Sequence, residues 1–170
     1  AIGPNGTWES LVVLAVSRQL ANQINKTSDM RAFLTRSDDS FVALRDRMEI
    51  AREQKADLFV SIHADALDNN TRVKGASIYI LSNKGANDEA SKRLAKRENE
   101  NLGDISLSNK NESLASVLMD LSQGVSIETS KEVGESILKE LARGGTVRKK
   151  KVQQGSFLVL KSPDVPSLLI

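Results

Sequence analysis

The feature that most constrains the fold is the alternation of short apolar runs with longer segments of helical periodicity. The apolar runs typical of buried strands lie at residues 30–35, 58–62, 76–81, 157–160 and 168–170. Apolar residues recur at helical spacing over residues 8–24, 41–51, 114–125 and 133–141. This order predicts an α/β fold, with a mostly parallel central sheet flanked by helices on both faces.

One stretch, residues 84–112, departs from this alternation of apolar runs and helical segments. Residues 84–112 contain only four large apolar side chains, and a helix capped by Asn87 and running to Asn101 would be polar nearly all round. Little apolar surface would hold such a helix to a core. We therefore predict one domain over residues 1–170, carrying a helical insertion at 84–125 that can dock or leave.

Composition excludes several classes of function. Lys and Arg total 24 against 22 Asp and Glu, which is not the basic excess of a nucleic-acid-binding domain. The chain has no cysteine, so disulfide scaffolds, thiolate zinc sites and cysteine nucleophiles are excluded. It has a single histidine, so any site that needs two imidazoles requires one from elsewhere. No apolar run is long enough to span a membrane.

His63 is the first candidate for chemistry, because it follows the predicted strand at residues 58–62. Sites in open α/β sheets gather at the carboxyl ends of strands, so a catalytic or metal-binding role fits this position. From position alone, a buried structural histidine is the more common outcome. Asp65 is either a helix cap or loop acceptor, or a partner that orients the imidazole.

Glu9 is the second candidate, because it opens the first predicted helix. A negative charge at this position complements the helix dipole, which is sufficient reason for a glutamate there. A carboxylate at a loop–helix junction can also bind zinc beside a histidine. Glu9 and His63 supply two protein ligands, whereas a catalytic zinc ordinarily has three.

Two motifs carry a family resemblance: Arg36-Ser-Asp-Asp-Ser-Phe-Val-Ala-Leu-Arg-Asp-Arg47 and Ala56-Asp-Leu-Phe-Val-Ser-Ile-His-Ala-Asp65. They resemble the zinc-dependent N-acetylmuramoyl-L-alanine amidases of the amidase-3 family. The strand at residues 73–83 and the final segment, residues 162–170, resemble the same family. The insertion is similar to that of the periplasmic cell-division amidases of Gram-negative bacteria.

The resemblance implies a zinc site. Its glutamate and its Ser-Ile-His histidine fall on Glu9 and His63, although Ser10 stands where the family usually has lysine. The remaining zinc histidine is expected just before Ala1, and the general-base glutamate just after Ile170. We therefore expect the chain to be the interior of a longer secreted protein and to be inactive by itself.

The resemblance also gives the insertion a role. In the cell-division amidases an inserted helix covers the active site, one of its glutamates caps the zinc, and an activator with a LytM domain pulls the helix away. By register this glutamate is Glu98, with Glu100 as the second choice. The alternative is that both glutamates are solvated charges on a helix surface.

The resemblance thus implies a periplasmic peptidoglycan hydrolase that cleaves the amide between N-acetylmuramic acid and L-alanine during septal wall splitting. A rival interpretation is a non-catalytic module that binds the cell wall or an activator. The two differ in whether the longer protein carries the histidine before Ala1 and the glutamate after Ile170.

Overall fold

In a computed structural model, the chain is described at residues 2–3, 6–64, 74–83, 89–100, 114–162 and 164–170. It divides into two compact units. One comprises Ala1–Lys55 and Ile62–Val73, and the other comprises Ala56–Ser61 and Lys74–Ile170. None of the described helices is long and apolar enough to cross a membrane.

The first unit contains two helices, α1 (Glu9–Ile24) and α2 (Leu44–Glu53). The apolar spacing predicted both. The N-cap residue of α1 is Trp8, whose extended backbone leads into the helix without a side-chain cap. Leu14 and Ala21 are the buried residues of α1.

The strand predicted at residues 30–35 is wrong. The backbone there forms no strand, because the side chain of Asn25 takes the hydrogen bonds of Ala32 that a ladder would have used. The Ala32 N–H donates to Asn25 Oδ1 at 2.8 Å, and Asn25 Nδ2 lies 3.5 Å from Ala32 O.

The second unit contains a sheet of four described strands in the order β1-β4-β2-β3. The strands are β1 (Phe59–Ser61), β2 (Tyr79–Leu81), β3 (Gln153–Gly155) and β4 (Ser167–Leu169). The pairs β1–β4 and β2–β3 are parallel, and β2–β4 is antiparallel. The α/β fold class is confirmed, with a mixed sheet in which two of the three described pairings are parallel.

The strand predicted at residues 157–160 is displaced. The ladder with β2 ends at Gly155, and Leu158–Leu160 form a short 3-10 helix instead. The ring of Phe157 turns back over Gly155, where a Cβ would lie 2.6 Å from the ring, and packs edge-on against Tyr79 with centroids 5.4 Å apart. The aromatic ring therefore lies over Gly155, and the chain turns away from the ladder after this residue.

Two helices belong to the second unit, α3 (Glu89–Glu100) and α4 (Leu114–Gly144). The two helices predicted within residues 114–141 are one, because no helix breaker interrupts residues 126–132. The sheet and α4 share a core of Ile78, Ile80, Leu138 and Leu168. Ser130 fixes α4 to β4: its Oγ donates to Ser126 O at 2.6 Å and accepts from the Ser167 N–H at 2.8 Å.

Candidate active site

Glu9 lies in the first turn of α1, where the unpaired N–H groups of the helix favour a negative charge. Its side chain is 14% exposed. One carboxylate oxygen, Oε1, accepts a hydrogen bond from the Ala64 N–H at 2.9 Å. The carboxylate is therefore stabilised by its place in the first turn of α1 and by the bond from Ala64, in the segment that follows β1.

The structure brings His63 to this carboxylate. The imidazole Nδ1 lies 3.5 Å from Glu9 Oε1, and the histidine side chain is 18% exposed. The two residues are 54 positions apart in sequence, and they belong to the same compact unit. They form the candidate site.

The pKa of the Glu9 carboxyl is lowered to about 2. Its hydrogen-bonding interaction with the His63 side chain is the largest cause, and the bond from the Ala64 N–H adds to it, while partial burial acts in the opposite direction. Glu9 is consequently a carboxylate at any pH near neutrality. A metal ligand must be deprotonated, so this state is the one that a cation requires.

The separation of the two donor atoms suits a shared metal ion. Two ligands at about 2.0–2.1 Å from a tetrahedral zinc are themselves separated by about 3.4 Å. The observed 3.5 Å between Nδ1 and Oε1 matches that separation, and the chemistry of the two donors is one that zinc accepts. No cluster of three His, Cys, Asp or Glu side chains occurs within the described ranges, so these residues account for two ligands.

The other predicted site residues have different outcomes. Asp65 lies outside the described residues. Glu98 and Glu100 both lie on α3, in the second unit. The side chain of Glu98 is 16% exposed and lies 3.7 Å from Arg97 Nε, whereas that of Glu100 is 64% exposed and pairs with Lys96 at 3.6 Å. Of the two, Glu98 is the one withdrawn from solvent.

Comparison with known proteins decides the family. The whole chain, residues 1–170, matches the Amidase_3 family model, which describes N-acetylmuramoyl-L-alanine amidases. The chain belongs to this family.

Curated relatives agree with this amidase assignment. The chain is 41% identical over its whole length to the N-acetylmuramoyl-L-alanine amidase AmiA of Escherichia coli K12, of which it covers 59%. It is 38% identical to AmiC of Escherichia coli O6:H1 and 36% identical to AmiC of Neisseria meningitidis. Each of these two alignments includes all of this chain and 41% of the relative. The chain thus spans roughly half the length of the amidases that it matches.

Solved amidase structures share the fold. The amidase of Clostridium difficile 630 superposes with a TM-score of 0.67 at 21% identity, over 99% of this chain and 69% of that one. AmiC2 of Nostoc punctiforme gives a TM-score of 0.57 at 25% identity, over 99% and 68% of the two chains.

One contact beside the candidate site was not predicted, although its residue, Arg36, belongs to a motif that the sequence singled out. Arg36 Nη2 donates to Ser10 O at 2.7 Å, and its other amino group donates to Asp38 O. Because Ser10 follows Glu9, Arg36 ties the loop after α1 to the turn that carries the candidate ligand. The motif at residues 36–47 drew attention to Arg36. Its bond to Ser10, 26 residues earlier, could not be predicted from the spacing of residues in the sequence.

Proposed function

We propose that this chain forms most of the catalytic domain of a zinc-dependent peptidoglycan amidase, which hydrolyses the amide between N-acetylmuramic acid and L-alanine. The observation that carries the proposal is the Glu9–His63 pair, two zinc-type donors 3.5 Å apart in a chain that matches the amidase family along its entire length.

Glu9 and His63 would hold the metal, together with the histidine expected before Ala1. Bound zinc in such a site polarises a carbonyl and lowers the pKa of a water molecule. The residues of this chain supply the orientation. The Ala64 N–H fixes Glu9 Oε1, and Arg36 holds the adjacent turn through Ser10 O. Asp65 remains our candidate for orienting the imidazole from behind.

The general base is expected just after Ile170, as the family resemblance implies. Strands β1 and β4 run parallel with Ser61 opposite Leu169, and the Ile170 N–H donates to Ser61 O at 2.9 Å. The end of β4 therefore lies beside the end of β1, and His63 follows β1 by two residues in sequence. A carboxylate there would accept the proton of the attacking water.

Helix α3 would regulate the site, with Glu98 as the zinc-capping glutamate and Glu100 as the second choice. The low exposure of Glu98 favours it over Glu100. In this proposal an activator with a LytM domain withdraws the helix, and the enzyme acts in the periplasm on septal peptidoglycan. The segment at 84–125 is then a regulatory insertion in the amidase domain.

The rival is a non-catalytic module that binds the wall or an activator. It predicts that the longer protein lacks either the histidine before Ala1 or the glutamate after Ile170. Reading those two positions in the parent sequence separates the two proposals.

The direct test uses the natural, longer protein with zinc and purified sacculi. Mass spectrometry of the products should find stem peptides with a free N-terminal L-alanine and glycan strands without peptide. The matched variant Glu9→Gln should release neither. Products in which alanine stays attached to muramic acid, or sacculi left intact by the activated protein, would refute the proposal.

A further inference from the structure

The start of α1 carries the Glu9 carboxylate but lacks the usual side-chain cap. Trp8 is the N-cap residue and makes no side-chain cap hydrogen bond, and Glu9 is the first residue of the helix. Uncapped helix ends fray, because their first N–H groups have no partner within the helix. Groups that form a binding site must be held within about 0.5 Å of the productive geometry. A metal ligand at this position therefore requires an anchor from outside the helix.

Two bonds from outside α1 supply such an anchor. The Ala64 N–H holds the Glu9 carboxylate at Oε1, and Arg36 Nη2 holds the backbone by donating to Ser10 O at 2.7 Å. A carbonyl in the first turn accepts the helix bond from four residues further on and keeps a second lone pair. The bond from Arg36 is thus additional to those of the helix, and it fixes where the turn lies.

Arg36 is itself held firmly. Its side chain is 18% exposed, its other amino group donates to Asp38 O, and Nη1 lies 3.7 Å from Asp39 Oδ1. The Asp38 carboxylate accepts from the Ser40 N–H at 2.9 Å, which closes the turn at residues 37–40. Because a guanidinium is a planar, rigid fork, its bonds to two separate carbonyls fix this turn against the first turn of α1.

A second arginine joins the same turn to α1 at a different height. Arg18 donates to Ser37 O. It follows Glu9 by nine residues, which corresponds to about 13 Å along the helix. All of these residues belong to one compact unit. The two arginines therefore bind the same turn, but only Arg36 reaches the turn of α1 that carries Glu9.

We propose that Arg36 is a positioning residue of the metal site, which sets the affinity of the Glu9–His63 pair for zinc by fixing the first turn of α1. The inference rests on the proposed function for the identity of the metal. Arg36 would act through the Ser10 carbonyl, since a guanidinium has no lone pair to offer a metal ion. Groups that orient metal ligands in this way typically contribute about 10- to 100-fold in metal affinity.

The test is the zinc dissociation constant of the natural, longer protein, measured by competition with a chromophoric chelator. Circular dichroism establishes that each variant is folded at the temperature used. Arg36→Ala should bind zinc about tenfold or more weakly than the wild-type protein. Arg18→Ala is the matched control and should stay close to the wild-type affinity. Both variants lose a bond to the turn at residues 37–40, so a merely structural role would alter their Tm values and not separate their zinc affinities.

Lysine variants provide a second comparison. Arg36→Lys keeps the charge but replaces the fork with a single ammonium, so it should bind zinc more weakly than the wild-type protein and more tightly than Arg36→Ala. Should Arg36→Ala fail to fold, Arg36→Lys is compared with Arg18→Lys, and only the first should lose zinc affinity.

Three results would contradict the role of Arg36. Wild-type zinc affinity in the folded Arg36→Ala protein, or an equal loss in the Arg36 and Arg18 variants, would overturn this role alone. A wild-type protein that binds no zinc would overturn the metal assignment of the proposed function together with it. The two failures are therefore distinguished by the wild-type measurement.

Discussion

Glu9 serves two purposes at the start of α1. It complements the helix dipole, as any glutamate in a first turn does, and it faces the His63 imidazole at 3.5 Å. Sequence alone offered each residue separately as a candidate, from a helix start and a strand end, beside a structural alternative for each. Their proximity followed only from the family resemblance, because no spacing rule connects positions 54 residues apart. The bonds from Ala64 and Arg36 were unpredictable for the same reason.

The two glutamates of α3 permit a matched test at this scale. In the longer protein, Glu98→Ala should raise basal peptidoglycan hydrolysis without activator, because it removes the carboxylate proposed to cap the metal. Glu100→Ala should leave basal activity near the wild-type level, since that side chain is largely solvated and pairs with Lys96. A turbidity assay on sacculi measures both. Unchanged activity in the first variant, or equal activation in both, would contradict the assignment of Glu98.

At the scale of elements, helices with a clear apolar stripe were predictable and strands were less so. The spacing placed α1 and the carboxyl end of α4 within a residue or two. The segments at 30–35 and 157–160 were misassigned because a strand requires a partner ladder. In the first segment, the Asn25 side chain bonds to the backbone of Ala32. In the second, the Phe157 ring packs over Gly155, where the ladder ends.

Helix α3 shows how a nearly polar helix can dock. Ser91 and Ala95 are buried small residues one turn apart, and they let the helix approach β3 closely. One turn further on, Asn99 Nδ2 donates to Ser156 O at 2.9 Å and Asn99 Oδ1 accepts from the Leu158 N–H at 3.0 Å. Little apolar burial opposes the release of such a helix, and these two bonds contribute to its attachment.

We therefore expect Asn99→Ala to loosen α3. Two net hydrogen bonds contribute about 1–3 kcal/mol, so backbone amides of α3 should exchange with deuterium roughly 5- to 150-fold faster. Alanine is the better helix former, so intrinsic propensity would act in the opposite direction. Lys92→Ala, an exposed change on the same helix, is the control. Exchange that is equal in the two variants would show that the Asn99 bonds do not hold the helix.

At the scale of the whole molecule, the α/β class was predictable because alternating strands and helices leave few alternatives. The single histidine, His63, also has a structural partner in Glu9. It is one of two zinc-type donors, and no third donor joins them among the described residues. Because the resemblance places the third ligand before Ala1, we expect the 170-residue chain to lack a complete zinc site of its own.

This shortfall predicts weak metal binding by the isolated chain. With two of three protein ligands, it should lose zinc during dialysis, as measured by elemental analysis, whereas the longer natural protein should keep it. Stoichiometric zinc retained by the 170-residue chain after dialysis would show that its own residues complete the site.

The most direct test of the central claim is the zinc content of the longer protein with and without the Glu9 carboxylate. After dialysis, the wild-type protein and the control Glu49→Gln, which alters an exposed carboxylate on α2, should each retain about one zinc per chain. Glu9→Gln keeps the shape of the side chain and removes its charge, so it should retain far less zinc. Equal zinc content in Glu9→Gln and the wild-type protein would contradict the assignment of Glu9 and His63 as the metal site.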